Sequence, residues 1–458
     1  MKTGKQKNEK NCIWKQSLII LFWLVIWQIL AWSIGNKILL EGPIGVLKYF
    51  FTEIKTFEYY RTVLSSVFRI MGGLVCGVLL AVLLGGLTYK KKWMEDFLMP
   101  IIQFLKSAPI TCFVVLILIW IGAENLTFFI ALIVAFPPIY LNLSEGLKQL
   151  DEKKLEVAKV YRMPFKNRFF YIYLPEIKAY FMSALAVSVG MAFKAGIAAE
   201  IIGTPDYSMG ERIYMSKIYL DTAGVLTWMI TVILVAYLCE KAVIFAVGKC
   251  FDRKPKMRQY KGDIEHFIPT CLEMVKCTVG YEDNTVLKDV SAEFEPGKVY
   301  AITGESGIGK TTLLKVLCGV KKADEGKVKG KETVKACVFQ ENRLFEDYTA
   351  AENVFATGMC GKDLAVVEEA LKEILPLEAL GKPVKEYSGG MKRRVEIARA
   401  ILSESPVILM DEPFSGLDDK TKDSTIQFIE KNRKNRTILL TTHCLSDITK
   451  VKAKEYKL

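Results

Sequence analysis

The chain has 458 residues, room for two or three domains, with 51% hydrophobic residues and a formal net charge of +12. Only two histidines are present, His266 and His443, and the 11 cysteines include no C-x-x-C pair, which argues against a histidine-rich metal centre, a zinc site or a disulfide framework. The lysines flank apolar runs, so the basic balance points to a membrane surface and not to nucleic acid.

Lys2, Lys5, Lys7 and Lys10 precede an uncharged, tryptophan-rich run at 17–35, close to the ~20 residues needed to cross a bilayer. It is too long for a signal-peptide core and no small-residue cleavage site follows, which predicts a retained span. Further candidate spans lie at 63–88 (interrupted by Arg69), 107–122, 125–144, 180–202 (holding Lys194 and Glu200) and 224–248 (holding Glu240 and Lys241). Together they predict an all-α polytopic membrane domain of about six helices over residues 1–250. Gly73-x-x-x-Gly77 in the second run allows two helices to approach closely. Lys90-Lys91-Lys92 and the basic 148–168 loop are expected on the cytoplasmic side with both termini, and the loops at 36–60 and 203–222 outside.

Residues 251–266 are charged, lack a long apolar run and read as a linker. From 267 to 458, short β-rich runs at 299–302, 407–410 and 437–440 alternate with helical patterns, predicting an α/β domain with a parallel sheet.

Gly304-Glu305-Ser306-Gly307-Ile308-Gly309-Lys310-Thr311 is a full G-x-x-x-x-G-K-[ST] phosphate loop between a predicted strand and a predicted helix. Gly304, Gly307 and Gly309 let backbone N–H groups, with Ser306, close around a phosphate. The helix start at Thr312 adds partial positive charge. Lys310 is placed to reach the β- and γ-phosphates, and the Thr311 hydroxyl suits Mg²⁺. A chance glycine-rich turn would not carry this spacing and these flanks. About a hundred residues on, the run 407–410 delivers Asp411 and Glu412 at a strand end, where open α/β sheets bind ligands. Asp411 is expected to hold Mg²⁺ through water and Glu412 to polarise the attacking water.

Tyr387-Ser388-Gly389-Gly390-Met391, just ahead of that strand, closely resembles the signature sequence of ATP-binding-cassette (ABC) proteins. The resemblance extends in order along the domain. Tyr281 corresponds to the aromatic that stacks on adenine and Gln340 to the glutamine of the Q-loop, a further Mg²⁺ and catalytic residue. Asp418, in Ser415-Gly416-Leu417-Asp418, corresponds to the D-loop, and His443 to the switch histidine at the γ-phosphate. Two departures stand out: Cys444 replaces the usual acid after His443, and the chain ends at Leu458, so the strands that follow the switch helix look trimmed. The family builds its ATP sites between the phosphate loop of one subunit and the signature (Ser388, Gly389 and Gly390 here) of another, which implies a homodimer.

In the 148–175 loop, Glu156-Val157-Ala158 followed by Ile172-Tyr173-Leu174-Pro175 is similar to the EAA motif of ABC importer permeases, whose cytoplasmic helices dock on the ATPase. Glu156, Ala158, Leu174 and Pro175 are the coupling residues that this implies. The motif's glycine falls at Arg162, which predicts a wider turn or right-handed backbone there. Ser107-Ala108-Pro109, Phe136-Pro137-Pro138-Ile139-Tyr140 and the segment from Phe193 to Glu200 resemble the nitrate, sulfonate and taurine group of importers, which also includes carriers of thiamine precursors. Lys194 and Glu200 are the candidates for the translocation path; they lie six apart, so they are not a local pair, and Lys194 is expected either to face the path and favour anions or to snorkel or pair with another helix.

The resemblance implies an importer half that uses ATP and Mg²⁺ to move a small anionic solute across the cytoplasmic membrane. It pairs with a second copy and takes solute from a separate extracytoplasmic binding protein. The alternatives at this stage are an ABC exporter, which shares the membrane-then-ATPase order, and a non-transporting ATPase that regulates another membrane protein.

Overall fold

The computed structural model describes residues 2–253, 255, 257, 271–281, 284–330 and 333–458; most of the expected linker at 251–266 lies outside the described residues. The chain divides into two compact units, Met1–Gln149 with Ile177–Asp252, and Leu150–Glu176 with Arg253–Leu458. The segment that carries the EAA-like motif thus packs as part of the C-terminal unit.

The first unit is helical. It comprises α1 (Lys2–Ile34), α2 (Pro43–Glu53), α3 (Phe57–Lys90), α4 (Lys92–Ser107), α5 (Ile110–Ile121) and α6 (Ala123–Lys148). After α7 (Glu152–Val160) and α8 (Phe165–Arg168) of the second unit come α9 (Leu174–Gly203), α10 (Met209–Ile218) and α11 (Thr222–Phe251). Among the described residues, α3, α6, α9 and α11 lie in helices long and apolar enough to cross a membrane, and Leu18–Ile34 is a shorter apolar helix.

The expected straight span at 107–122 is instead the second arm of a bent pair: α4 and α5 meet at 100°. The cause is local. Pro109 has no N–H, and it forces Ala108 out of the helical region, to ψ 139. Alone, α5 would reach about 18 Å, short of the ~30 Å hydrocarbon core. Two helices, α2 and α10, occupy loops that the sequence left without structure.

Small residues let the helices of this unit touch. A Cβ on Gly73 would lie 2.2 Å from the Phe128 carbonyl oxygen and one on Gly77 3.1 Å from that of Leu132, so α3 and α6 meet backbone to backbone. The charge that interrupts α3 is answered: Arg69 pairs with Glu124 at 2.5 Å and donates to the Asp206 carbonyl at 3.2 Å.

The second unit carries two sheets. β1 (Leu272–Tyr281), β2 (Asn284–Phe294) and β4 (Glu325–Lys329) form an antiparallel sheet in the order β2-β1-β4. β3 (Val299–Thr303), β5 (Lys335–Val338), β6 (Val407–Met410), β7 (Thr437–Thr441) and β8 (Lys454–Lys457) form a parallel sheet in the order β5-β6-β7-β3-β8. Strands β3, β5, β6 and β7 are buried almost throughout because helices cover both faces of a parallel sheet. Those helices include α12 (Lys310–Leu317), α13 (Ala350–Ala356), α14 (Leu364–Lys372), α15 (Gly389–Ile401), α16 (Asp419–Asn432) and α17 (Leu445–Val451). A strand does follow the switch helix: β8 pairs with β3 through Tyr300↔Lys454 to Thr303↔Lys457.

Candidate active site

Four parallel strands deliver the site from one edge. The phosphate loop follows β3, Gln340 follows β5, Asp411 and Glu412 follow β6, and His443 follows β7. This is the carboxyl edge of the sheet, where α/β folds bind ligands. At the loop, Gly309 has φ 109, and a Cβ there would stand 2.6 Å from Leu287 Cδ2, so only glycine fits this start of α12. The Lys310 ammonium is nearly buried and donates to the carbonyls of Gly304 and Glu305, both at 2.8 Å, which holds it within the loop. Thr312 is buried in the first turn of α12.

Two adjacent cavities divide the remaining residues. Thr311, Gln340 and Asp411 line one of about 150 Å³ together with Arg343. Glu412 and His443 line another of about 210 Å³, with His443 Nε2 3.3 Å from Glu412 Oε1. The consecutive acids of β6 thus serve different cavities. Glu412 achieves this in a left-handed backbone conformation, φ 46, rare for a residue with a side chain and a form of strain that concentrates at functional sites. Thr441 stabilises the arrangement: its hydroxyl donates to Asp411 Oδ1 at 2.7 Å and accepts from the Glu412 N–H at 2.9 Å.

The strongest support for this strained turn comes from residues that sequence reasoning missed. Arg393, buried in α15, donates to the carbonyls of Asp411 at 2.6 Å and Glu412 at 2.7 Å, and also to that of Phe339, next to Gln340. Glu396 lies between Arg393 and Arg399, at 3.3 and 3.5 Å, and accepts from the Arg343 N–H at 2.5 Å. Burial pushes the Glu396 carboxyl upward from the usual carboxylate range, and Arg399 and Arg393 oppose that rise. The signal was in the sequence: charges at 393, 396 and 399 share one helix face, but such spacing reads more readily as a solvated stripe.

The signature residues lie elsewhere. Ser388 caps α15, its hydroxyl accepting from the Met391 N–H at 3.3 Å, and Ser388 and Gly389 are exposed. Gly390 packs beside Leu417. None of the three lines either cavity. Asp418 caps α16 by accepting from the Thr421 N–H at 3.1 Å, and hydrogen bonds from the Thr421 side chain and N–H hold its carboxyl below the usual range. Tyr281, at the end of β1, has one ring face under Lys321 Nζ, 4.1 Å from the ring centre. Beyond His443, the exposed Cys444 Sγ contacts Ser446 Oγ at 2.9 Å, while Asp447 accepts from Thr442 and pairs with Lys422.

The EAA-like segment belongs to the same unit as this site. Glu156 pairs with Arg343, and Lys153 with Glu341 at 2.5 Å. Tyr161 is fully buried, and its hydroxyl donates to the Cys337 carbonyl at 3.2 Å and accepts from the Cys337 N–H at 3.3 Å. Burial pushes this phenol up to about 12. Because β5 is an edge strand, the phenol satisfies backbone groups that no neighbouring strand reaches.

Arg162 departs from expectation. Its φ is +48, the left-handed geometry that a glycine would supply. The N–H groups of Arg162 and Met163 bond back to Lys159 and Ala158, at 3.2 and 2.9 Å, closing a Schellman turn at the end of α7. The tight turn is kept and the side chain bears the strain. Ala158 is buried, and Leu174 and Pro175 begin α9 after a five-residue π turn. In the first unit, Lys194 is exposed, whereas Glu200 is buried and accepts from Ser66 at 2.9 Å and the Gly210 N–H at 3.1 Å; the two do not meet.

Residues 73–256 match the family described as binding-protein-dependent transport system inner membrane component, and residues 287–415 match the ABC transporter family. An aliphatic sulfonates import ATP-binding protein of Pseudomonas savastanoi is 35% identical over 167 residues, 36% of this chain and 70% of that protein. A taurine import ATP-binding protein of Pelagibacter ubique is 34% identical over 38% of this chain and 72% of its own length. A thiamine import ATP-binding protein of Histophilus somni is 30% identical over 38% of this chain and 90% of its own. With its phosphate loop, Asp411, Glu412 and His443 at one sheet edge, the chain belongs to the ABC transporters, a multi-pass membrane protein that joins the membrane component of a binding-protein-dependent system to an ATP-hydrolysing cassette in one polypeptide.

Proposed function

We propose that two copies of this chain form a complete importer that hydrolyses ATP at two equivalent composite sites and moves a small anionic solute into the cytoplasm. The observation that carries the reading is the separation within the cassette: Ser388 and Gly389 are exposed, outside both cavities that hold Thr311, Asp411, Glu412 and His443. One chain cannot close its own signature on its own phosphate loop, whereas a head-to-tail pair closes two such sites.

In that pair the backbone of 304–309, Ser306, Lys310 and Thr312 hold the phosphates, and Tyr281 offers its free ring face to the base. Thr311, Gln340 and Asp411 are hard oxygen donors around one cavity, a set that fits Mg²⁺ and would hold it there, supplying charge neutralisation on the phosphates when bound. Glu412 positions the attacking water and takes up its proton, and His443, 3.3 Å away, faces the departing phosphate. The signature of the second chain, with Asp418 nearby, completes the enclosure.

The segment from Glu156 to Pro175 carries the movement to the membrane helices, with the cassette and both basic loops in the cytoplasm. For the solute, the reading draws on the sulfonate and taurine import names of the relatives and on Lys194. Ser183, Val187, Met191, Lys194, Ala198 and Ile202 form one exposed stripe along α9, and a lysine at mid-span is costly against lipid, by ~2.5–3.5 kcal/mol, but useful against an anion. An extracytoplasmic binding protein delivers the solute.

The test is reconstitution in liposomes with ATPase measured against loaded and empty binding proteins of the sulfonate, taurine, nitrate and thiamine-precursor types. Stimulation by one loaded protein, abolished in Glu412→Gln, is expected. Robust ATPase indifferent to every binding protein would overturn the importer reading.

A further inference from the structure

The turn that ends the phosphate-loop helix reaches back to the strand that carries Tyr281. α12 closes in a Schellman turn: Gly319 has φ 77, its N–H bonds to the Val316 carbonyl at 3.1 Å, and the Val320 N–H bonds to the Lys315 carbonyl at 3.0 Å. The residues that follow grip β1 at both backbone groups of Gly280. The Lys321 ammonium donates to the Gly280 carbonyl at 2.6 Å, and Asp324 Oδ2 accepts from the Gly280 N–H at 2.7 Å. A further bond, from the Asp324 N–H to the Thr278 carbonyl at 2.9 Å, fixes the turn on the strand. The end of β1 is thus held in register with the phosphate loop through a helix of eight residues, about 12 Å long.

The same ammonium stands 4.1 Å from the centre of the Tyr281 ring, whose residue is 41% exposed. Lys321 covers one face of the ring, so a base stacks on the other. A cation over an aromatic face is attracted by the ring's quadrupole and draws electron density toward itself. The opposite face becomes less negative, which eases its contact with the π-face of a base.

We propose, on the reading that Tyr281 stacks on the base, that Lys321 is a specificity-determining residue for the nucleobase: acting through Tyr281, it favours purine over pyrimidine nucleoside triphosphates. Two fused rings cover more of the phenol than one, so a purine gains more from a ring that is both aligned and polarised. Lys321 meets no reacting atom and is a positioning residue. Its removal weakens the contact to the base and leaves the contacts to the phosphates in place.

The experiment uses the full-length chain in detergent, with Mg²⁺ chelated so that no nucleotide is hydrolysed. Displacement of a fluorescent ATP analogue gives the affinities for ATP, CTP and inorganic tripolyphosphate, the last a probe without a base. In the parent, ATP is expected to bind about fivefold or more tightly than CTP; equal affinities would overturn the proposal before any variant is made. Lys321→Met keeps the apolar stem and removes the charge. It is expected to weaken ATP about three- to tenfold, CTP by less than about twofold and tripolyphosphate not at all, while Lys321→Arg keeps the preference. An equal loss for all three ligands would make Lys321 a support of the turn alone and overturn the proposal, as would unchanged affinity for ATP. Tyr281→Leu separates that failure from failure of the stacking reading. If the ratio of ATP to CTP affinity stays at the parent value, the ring does not meet the base and both fall. If the preference is lost in Tyr281→Leu but kept in Lys321→Met, only the role of Lys321 falls.

Discussion

Replacing Tyr161 by phenylalanine removes one oxygen atom and orphans two backbone groups. In β5 the N–H and C=O of Cys337 point away from β6, and Tyr161 Oη meets both, at 3.3 and 3.2 Å. The ring stays buried, so apolar packing is retained. A buried polar group left without a partner costs about 1–3 kcal/mol, and two on one strand, partly relieved by relaxation, give a loss of about 2–4 kcal/mol. That corresponds to roughly a 30- to 1,000-fold larger population of locally open states. Hydrogen exchange of the full-length chain, read by mass spectrometry over 152–163 and 335–338, measures it, and both segments are expected to accelerate together. Tyr348→Phe, which removes a bond of 2.8 Å to the Phe170 carbonyl, serves as the comparison variant. Exchange in Tyr161→Phe within about threefold of the parent would show that water replaces the phenol at no cost, and the edge-strand argument would fail.

Arg393→Met removes the donor that three carbonyls share and leaves Glu396 with one arginine fewer; a stability loss of about 3–5 kcal/mol is expected by denaturant titration, and a loss below 1 would refute the role. Arg162→Gly relieves a left-handed residue worth about 1–2 kcal/mol at some entropic cost, so thermal unfolding is expected to shift upward by about 0.5–1 kcal/mol; a fall would mean that the arginine side chain outweighs its backbone strain. Gly309→Ala puts a methyl against Leu287 at φ 109 and is expected to abolish nucleotide binding in a fluorescent-nucleotide titration, with unchanged affinity as the contrary result. Lys194→Met is expected to suppress uptake of the identified anionic solute while leaving basal ATPase in place; unchanged uptake would remove Lys194 from the path.

The nucleotide motifs were legible because each depends on a short run of fixed spacing that the fold carries to one sheet edge. Gly304 to Thr311, Asp411, Glu412 and His443 arrive together at strand ends, as their flanking apolar runs implied. What escaped reading depends on tertiary context. Arg393, Glu396 and Arg399 look like a solvated stripe until α15 is seen packed beneath the ends of β5 and β6. Arg162 was expected to widen its turn, but the backbone bonds to Ala158 and Lys159 pull it into the left-handed region regardless of residue type. The 107–122 run is uncharged enough to span, and hydropathy alone does not register that Pro109 bends it.

The buried arginine of α15 has a thermodynamic consequence. The N-terminus of that helix presents Ser388 and Gly389 outward, and one turn further in Arg393 grips the carbonyls of Asp411 and Glu412. In a head-to-tail pair, the outward end answers to nucleotide held by the other chain, while the inward end sets the conformation of the chain's own acid. A shift of α15 is then felt at both nucleotides, so their affinities are linked and the linkage is reciprocal. For such a pair the Hill coefficient for ATP is expected to depart from one, and a chain with an intact site is expected to change its rate when its partner's phosphate loop is disabled.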